Sequence, residues 1–122
     1  MSRATMPQYE IQLRTFQFSE QILRLVRSFS KRIEADIIRK QLVRSATSIG
    51  ANIIEAKHFS SRKEFIQYMQ ISLRSSREAE YWIKLSISSK ICYKTAGENA
   101  LDECTEISKI LSTILVRSKE RK

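Results

Sequence analysis

The chain has 122 residues, with 22 Lys or Arg against 13 Asp or Glu and a formal net charge of +9. That size sets one domain with room for a core of its own, and no apolar run approaches the roughly 18 residues that a membrane-spanning helix needs. The opening MSRATMPQYEIQLRTF lacks the apolar segment of a secretory signal, and Cys92 and Cys104 stand outside any Cys-x-x-Cys pattern, so reduced thiols in a cytoplasmic protein are expected.

Only two Gly and one Pro (Pro7) interrupt the chain. Elements are therefore long and turns few, and apolar residues spaced by three and four predict an all-α protein. Residues 1–15 are expected to form an N-terminal arm, and residues 16–122 the helical domain. A first helix is expected over 18–30, on the stripe Phe18, Ile22, Val26 and Phe29 with Leu25 beside it. The second spans 35–57 and carries Ile38, Leu42, Ala46, Ile49, Ile53 and Ala56. Ser61-Arg62-Lys63-Glu64 forms a capping box that opens the third, the Ser capping the first turn and the Glu reaching back. Its stripe runs through Phe65, Met69, Ser72, Ser76, Ala79, Ile83 and Ile87. Thr95-Ala96-Gly97-Glu98 is a second such box, ahead of Leu101, Cys104, Ile107 or Ser108, Leu111, Ile114 and Leu115. Short connections between long helices imply antiparallel neighbours, hence an up-down four-helix bundle.

Polar residues adjoin these stripes in a pattern. Ser48, Asn52 and Glu55 follow at steps of four and three, so they share one face beside Ile49, Ile53 and Ala56. Polar groups beside a core are costly unless hydrogen-bonded, and Ser75, Glu78 and Glu80 of the third helix are candidate partners. Asn52 and Glu55 are expected to be buried and bonded to Ser75 or Glu78. Small residues also match between Ser45, Ala46, Ser48 and Ala51 on the second helix and Ser72, Ser75, Ser76 and Ala79 on the third. They allow the two backbones to approach closely, although a merely solvated Ser-rich face gives the same pattern. Gly50 in mid-helix costs roughly 1 kcal/mol relative to Ala and marks a kink or a crowded contact.

The charge excess is uneven: residues 1–63 hold twelve Lys or Arg against five Asp or Glu, and residues 64–122 ten against eight. With a sequence pI near 9.9, RNA, DNA or another polyanion is the expected partner. Arg24, Arg27 and Lys31 form one row with Arg32 beside them, Arg39 or Lys40 with Arg44 a second, and Arg74, Arg77 and Lys84 a third. Such rows neutralise phosphates without reading bases. The bland alternative is that they only keep a small bundle soluble. Tyr81 and Trp82, with Ile83, Leu85 and Ile87, crowd the third helix around nearly its whole circumference. They supply either an association patch or a bulky core layer.

Enzymatic readings find little support. His58 is the only histidine, with no second ligand or catalytic partner at recognisable spacing. Glu55-Ala56-Lys57-His58 has the Glu-x-x-His spacing of di-metal bundles once, where those sites use it twice. Glu55, Glu78 and Glu80 are better read as partners of Asn52, Ser48 or an Arg than as metal ligands. No Gly-rich phosphate loop is present. The chain is expected to be no enzyme and to hold no cofactor or metal.

The segment QLVRSATSIGANIIEA, then SSRKEF, then SSREAE resembles the four-helix-bundle proteins encoded in 23S rRNA intervening sequences. That family also includes the accessory variability determinant of diversity-generating retroelements. The resemblance rests on Gln41, Leu42, Arg44, Ala46, Ser48, Ile49, Ala51, Asn52, Ile53 and Glu55, on Ser61, Lys63, Glu64 and Phe65, and on Ser75, Glu78 and Glu80. Gly50 replaces the family's Pro, Ala56 its Gly, and Arg74 the Gly before Ser75. The resemblance implies a bundle assembled into a homopentameric ring with a basic surface, acting as a nucleic-acid-binding adaptor for a partner such as a reverse transcriptase. The alternative is a structural or protein-interaction module, ribosome-associated, whose basic face meets an acidic protein.

Overall fold

A computed structural model describes residues 7–58 and 61–120 and places four helices: α1 (Pro7–Arg27), α2 (Ile33–Lys57), α3 (Arg62–Ser88) and α4 (Lys94–Glu120). Each packs on the next, and α1 also packs on α4, closing a four-helix bundle around one core. Phe18, Ile22, Leu42, Ile49, Ile53, Met69, Ile83, Ile107 and Leu111 are its fully buried large side chains, with Ile11 beneath them. The apolar stripes expected of all four helices point inward, with Phe65, Ile87, Leu101 and Ile114 half-buried at the margins.

The first helix is longer than its stripe suggested. It begins at Pro7, a residue whose fixed φ suits the first turn, so residues 7–15 are part of the bundle and not an arm. Residues 1–6 lie outside the described residues. Ile11 and Thr15 extend the buried face of Phe18 at steps of four and three. The polar Thr15, with Leu13 and Phe16 exposed beside it, hides this periodicity in the sequence. Thr15 can be buried because its hydroxyl donates to Ile11 O at 2.8 Å. At the far end Phe29, already past the helix, is buried, held by its N–H on Val26 O at 3.2 Å.

Of the two capping boxes, the serine half of one forms. Ser61 Oγ accepts the Glu64 N–H at 3.0 Å and caps α3. Thr95 is instead an exposed residue inside the first turn of α4, because the Gly97 N–H already donates to Tyr93 O at 2.9 Å. The α3–α4 connection explains the shift. The Lys90 N–H bonds Ile87 O at 3.0 Å and the Ile91 N–H bonds Ser86 O at 2.9 Å, with Lys90 in the left-handed region at φ 59°. This is a Schellman closure. It draws Ile91 and Cys92 into the core, and the chain re-enters a helix at once.

Small residues make the seams. The Ser72 hydroxyl donates across to Ile49 O at 2.8 Å, a contact that requires the backbones of α2 and α3 to lie close. Ser45, Ala46, Ser72, Ser76 and Ala79 are buried, whereas Ala51 is exposed and lines a groove shared with α1. Gly50 marks a crowded contact within an uninterrupted α2: a Cβ there would sit 3.2 Å from Thr15 Oγ1. Between α3 and α4 a buried hydroxyl pair, Ser76 Oγ and Ser108 Oγ at 2.7 Å, continues to Glu80 Oε2 at 2.6 Å. Ser108 donates to Glu80 and Ser76 donates to Leu73 O at 2.7 Å, and either hydroxyl can be the donor where the two meet. Arg14 closes α1 on α4 with a bidentate bond to Glu103 at 2.6 and 2.9 Å.

The tightest glycine is Gly97, where a Cβ would fall 2.6 Å from Ile87 Cγ1 and 2.8 Å from Cys92 Sγ. Gly97→Ala gains about 1 kcal/mol of helix propensity but overpacks this junction by about 1–3 kcal/mol. The variant is expected to melt several degrees below the wild type in scanning calorimetry; an equal or higher Tm would show that the junction yields.

Candidate nucleic-acid interface

The six cations expected to meet phosphate differ in exposure and pairing. Arg24 and Arg27 are exposed in the last turn of α1, Lys31 is exposed in the α1–α2 turn, and Lys40 and Arg44 are exposed on α2. Arg39 is half-buried. It pairs with Asp36, and its guanidinium lies 5.9 Å from the centroid of the Phe29 ring, a cation–π distance. Arg44 reaches across to Glu78 on α3 and to Gln41 Oε1 at 3.0 Å. Arg39 and Arg44 thus carry partly neutralised charge, whereas Arg24, Arg27, Lys31 and Lys40 form no ion pair among the described residues. Arg27, Lys31 and Arg39 line a cleft of about 520 Å³ over Val26 and Phe29.

Further cations join them that the linear rows did not indicate. The Ser30 N–H donates to Ile91 O at 2.9 Å, and Arg32 Nη2 donates to Ser89 O at 2.5 Å. These bonds tie the α1–α2 turn to the α3–α4 turn. They set the turn of Lys31 and Arg32 beside that of Lys90, which leads through Tyr93, 73% exposed, to Lys94 at the start of α4. Only the bundle's topology could have revealed this grouping, since α2 and α3 separate the two turns in sequence.

The polar constellation forms in part. Asn52 Nδ2 donates to Ser48 O at 2.8 Å and Ser48 Oγ at 3.0 Å, and Ser75 Oγ donates to Ser48 Oγ at 3.0 Å across the α2–α3 seam. Asn52 is half-buried and bonds within its own helix, not to Ser75 or Glu78. Glu55 is exposed, contrary to the expected burial. A carboxylate without a cation to meet it costs several kcal/mol to desolvate, and α2 leaves that position free to stay in water. Glu78 accepts from Arg44 and from Trp82 Nε1 at 3.0 Å. Glu80 faces α4 through Ser108, so Glu55, Glu78 and Glu80 do not converge. Among the described residues no group of three or more His, Cys, Asp or Glu is placed to hold a metal ion.

The aromatic pair divides. Trp82 is half-buried and packed against the core, while Tyr81 is 58% exposed and meets the indole edge-on at 5.0 Å. Ile83 is buried and Leu85 and Ile87 are half-buried, so most of the cluster is core layer. A broader apolar opening lies between α1 and α2. It is a groove of about 490 Å³ lined by Leu13, Phe16, Gly50, Ala51 and Ile54, with Phe16 62% exposed.

Neither thiol is poised as a nucleophile. Burial pushes Cys104 far up, with Glu80 and Glu103 adding to the effect, and burial also raises Cys92. Since the thiolate is the reactive form, both are protonated near neutral pH. His58 is exposed at the end of α2. A disulfide reagent at pH 8 is expected to leave both thiols of the folded protein largely unmodified over minutes and to titrate two per chain in denaturant; rapid native modification of Cys104 would contradict this packing.

A crystal structure of a protein of unknown function from the S23 ribosomal protein family of Bacteroides thetaiotaomicron VPI-5482 shares the fold, with TM-score 0.83. It is 33% identical, over 90% of this chain and 98% of that one. No curated protein matches the chain. The sequence model of 23S rRNA-intervening sequence proteins matches residues 8–113, a span that takes in the three motif blocks and reaches all four helices. The chain belongs to the 23S rRNA-intervening sequence protein family.

Proposed function

We propose that the protein is a non-catalytic, cytoplasmic adaptor that binds RNA or DNA through phosphate contacts, works as a homo-oligomer and recruits a protein partner, such as the reverse transcriptase that its resemblance to retroelement accessory proteins implies. The observation that carries this reading is the set of exposed, unpaired cations Arg24, Arg27, Lys31 and Lys40 on a chain of net charge +9. No helix of the described residues is long and apolar enough to cross a membrane. Arg14 near the start of α1 meets Glu103 in mid-α4, and Ser30 just past the end of α1 meets Ile91 just before α4. These pairings support an antiparallel, up-down arrangement.

Neutralising several phosphates releases condensed counterions, so affinity should fall steeply with salt and depend little on sequence. Reversing Arg24, Arg27 and Lys31 to Glu should weaken binding at least tenfold near 50 mM salt and flatten the salt dependence. Circular dichroism should not change, because Ile22, Val26 and Phe29 carry the packing. Absence of wild-type binding at that salt would remove the nucleic-acid reading and bring forward the protein-interaction module.

That second reading has its own support in the open groove at Leu13, Phe16 and Ile54, since exposed apolar patches mark association surfaces. The family resemblance implies self-association as a pentameric ring, with a two-fold dimer as the alternative. Light scattering should give a mass near five chains of 14.3 kDa, and Phe16→Ser should lower it. A wild-type mass of 14.3 kDa at micromolar concentration would overturn the assembly.

A further inference from the structure

We propose that the end of the bundle where the α1–α2 and α3–α4 turns meet is a single-strand nucleic-acid site. One base stacks on Tyr93, and the flanking phosphates meet Lys31, Lys90 and Lys94. The proposal rests on the nucleic-acid reading and adds to it a location and a form of ligand.

The first observation is the aromatic ring itself. Tyr93 is 73% exposed, at the entry to α4, where an apolar or merely capping role would call for a different side chain. Its main chain is fixed: Tyr93 O accepts the Gly97 N–H, and Cys92 beside it is buried. The ring therefore stands on rigid backbone, which limits the ordering cost of a base that stacks on it.

The second observation is Lys90. It occupies the left-handed position of the Schellman closure, at φ 59°, where glycine is favoured because other side chains strain the backbone. Attraction between its ammonium and the carbonyls at the end of α3 offsets part of that strain. A charge kept at a position that favours glycine is the kind of local outlier that accompanies function.

The third is charge in the right place. Lys31, Lys90 and Lys94 are exposed and form no ion pair among the described residues. Arg32 is committed to the structure, bonded to Ser89 O and paired with Glu34 at 3.4 Å. Asp36 is taken by Arg39, and Glu98 is exposed one turn into α4, four residues past Lys94. Three free cations on or next to two tied turns, with an exposed ring in the same segment as Lys90 and Lys94, make the combination that binds unpaired strands, with stacking tolerant of base identity and phosphates held electrostatically. A duplex keeps its bases stacked on one another and offers none to the ring, so Tyr93 selects for single strands.

The test measures anisotropy of labelled oligo-U, oligo-dT and a duplex of equal length with wild type, Tyr93→Ala, Tyr93→Phe and Lys90→Gly. Tyr93→Ala should weaken single-strand binding about tenfold and leave duplex binding in place, while Tyr93→Phe keeps wild-type affinity. Lys90→Gly should weaken single-strand binding without lowering Tm. The two single-stranded probes show whether the sugar matters to a site built from stacking and charge. Wild-type affinity in Tyr93→Ala overturns the site while the basic-surface reading stands. A Lys90→Gly variant with lower Tm and unchanged affinity assigns that lysine to the helix end alone, and a wild type that binds no probe ends both proposals.

Discussion

A hydroxyl on one helix bonded to the main chain of the next sets the spacing of this bundle. Ser72 reaches Ile49 O at 2.8 Å with a side chain only one carbon long. Interaxial distances vary over roughly 8–10 Å with the side chains between, and such a bond demands the close end of that range. A Leu at position 72 would hold α2 and α3 apart. Buried small residues, Ser45 and Ala46 on α2 and Ala79 on α3, accompany this closeness, and the bulky residues Phe18, Ile22, Met69 and Leu111 fill the centre. Burying so many hydroxyls is tolerable because most bond within their own helix: Thr15 to Ile11 O, Ser45 to Gln41 O, Ser86 to Trp82 O. A serine satisfied that way packs like a small apolar residue.

That behaviour explains what could be read from the chain and what could not. The stripes of α2, α3 and α4 were legible because apolar or small residues recur at three and four: Ile and Leu on α2 and α4, and Met69, Ser72, Ser76, Ala79 and Ile83 on α3. The first turns of α1 were not, since Thr15 stands where an apolar residue was sought and Leu13 and Phe16 stand where polar ones were. The Thr95 box failed for a related reason. Its residues satisfy the local pattern, yet the packing of Ile91 and Cys92 starts the helix two residues earlier. Local capping chemistry yields when a buried anchor next to it fixes where the chain must turn.

Site residues were less legible than core residues because a sequence shows which residues share a helix face, not which faces meet. Ser48 and Ser75 could be paired in advance by their places on adjacent helices. The Ser76–Ser108–Glu80 relay could not, since Ser108 shares its helix face with Ile107 and Leu111 and reads as a margin of the core. Charge shows the same limit. Arg39 and Arg44 look like members of a free row, but Asp36 and Glu78 hold them, while Lys90 and Lys94 join Lys31 only through the bonds that tie the two turns.

The surface divides along the length of α1. Its first half carries Leu13 and Phe16 into an apolar groove with Ala51 and Ile54 of α2, and its last turn carries Arg24 and Arg27. Apolar area drives association without direction, whereas the free cations repel their counterparts on another copy. A second chain seated on the groove would bury the first half of α1 and leave the basic turns outward, adding their charge from every subunit. Self-association and polyanion binding would then be compatible demands on one helix, because they would use opposite ends of it.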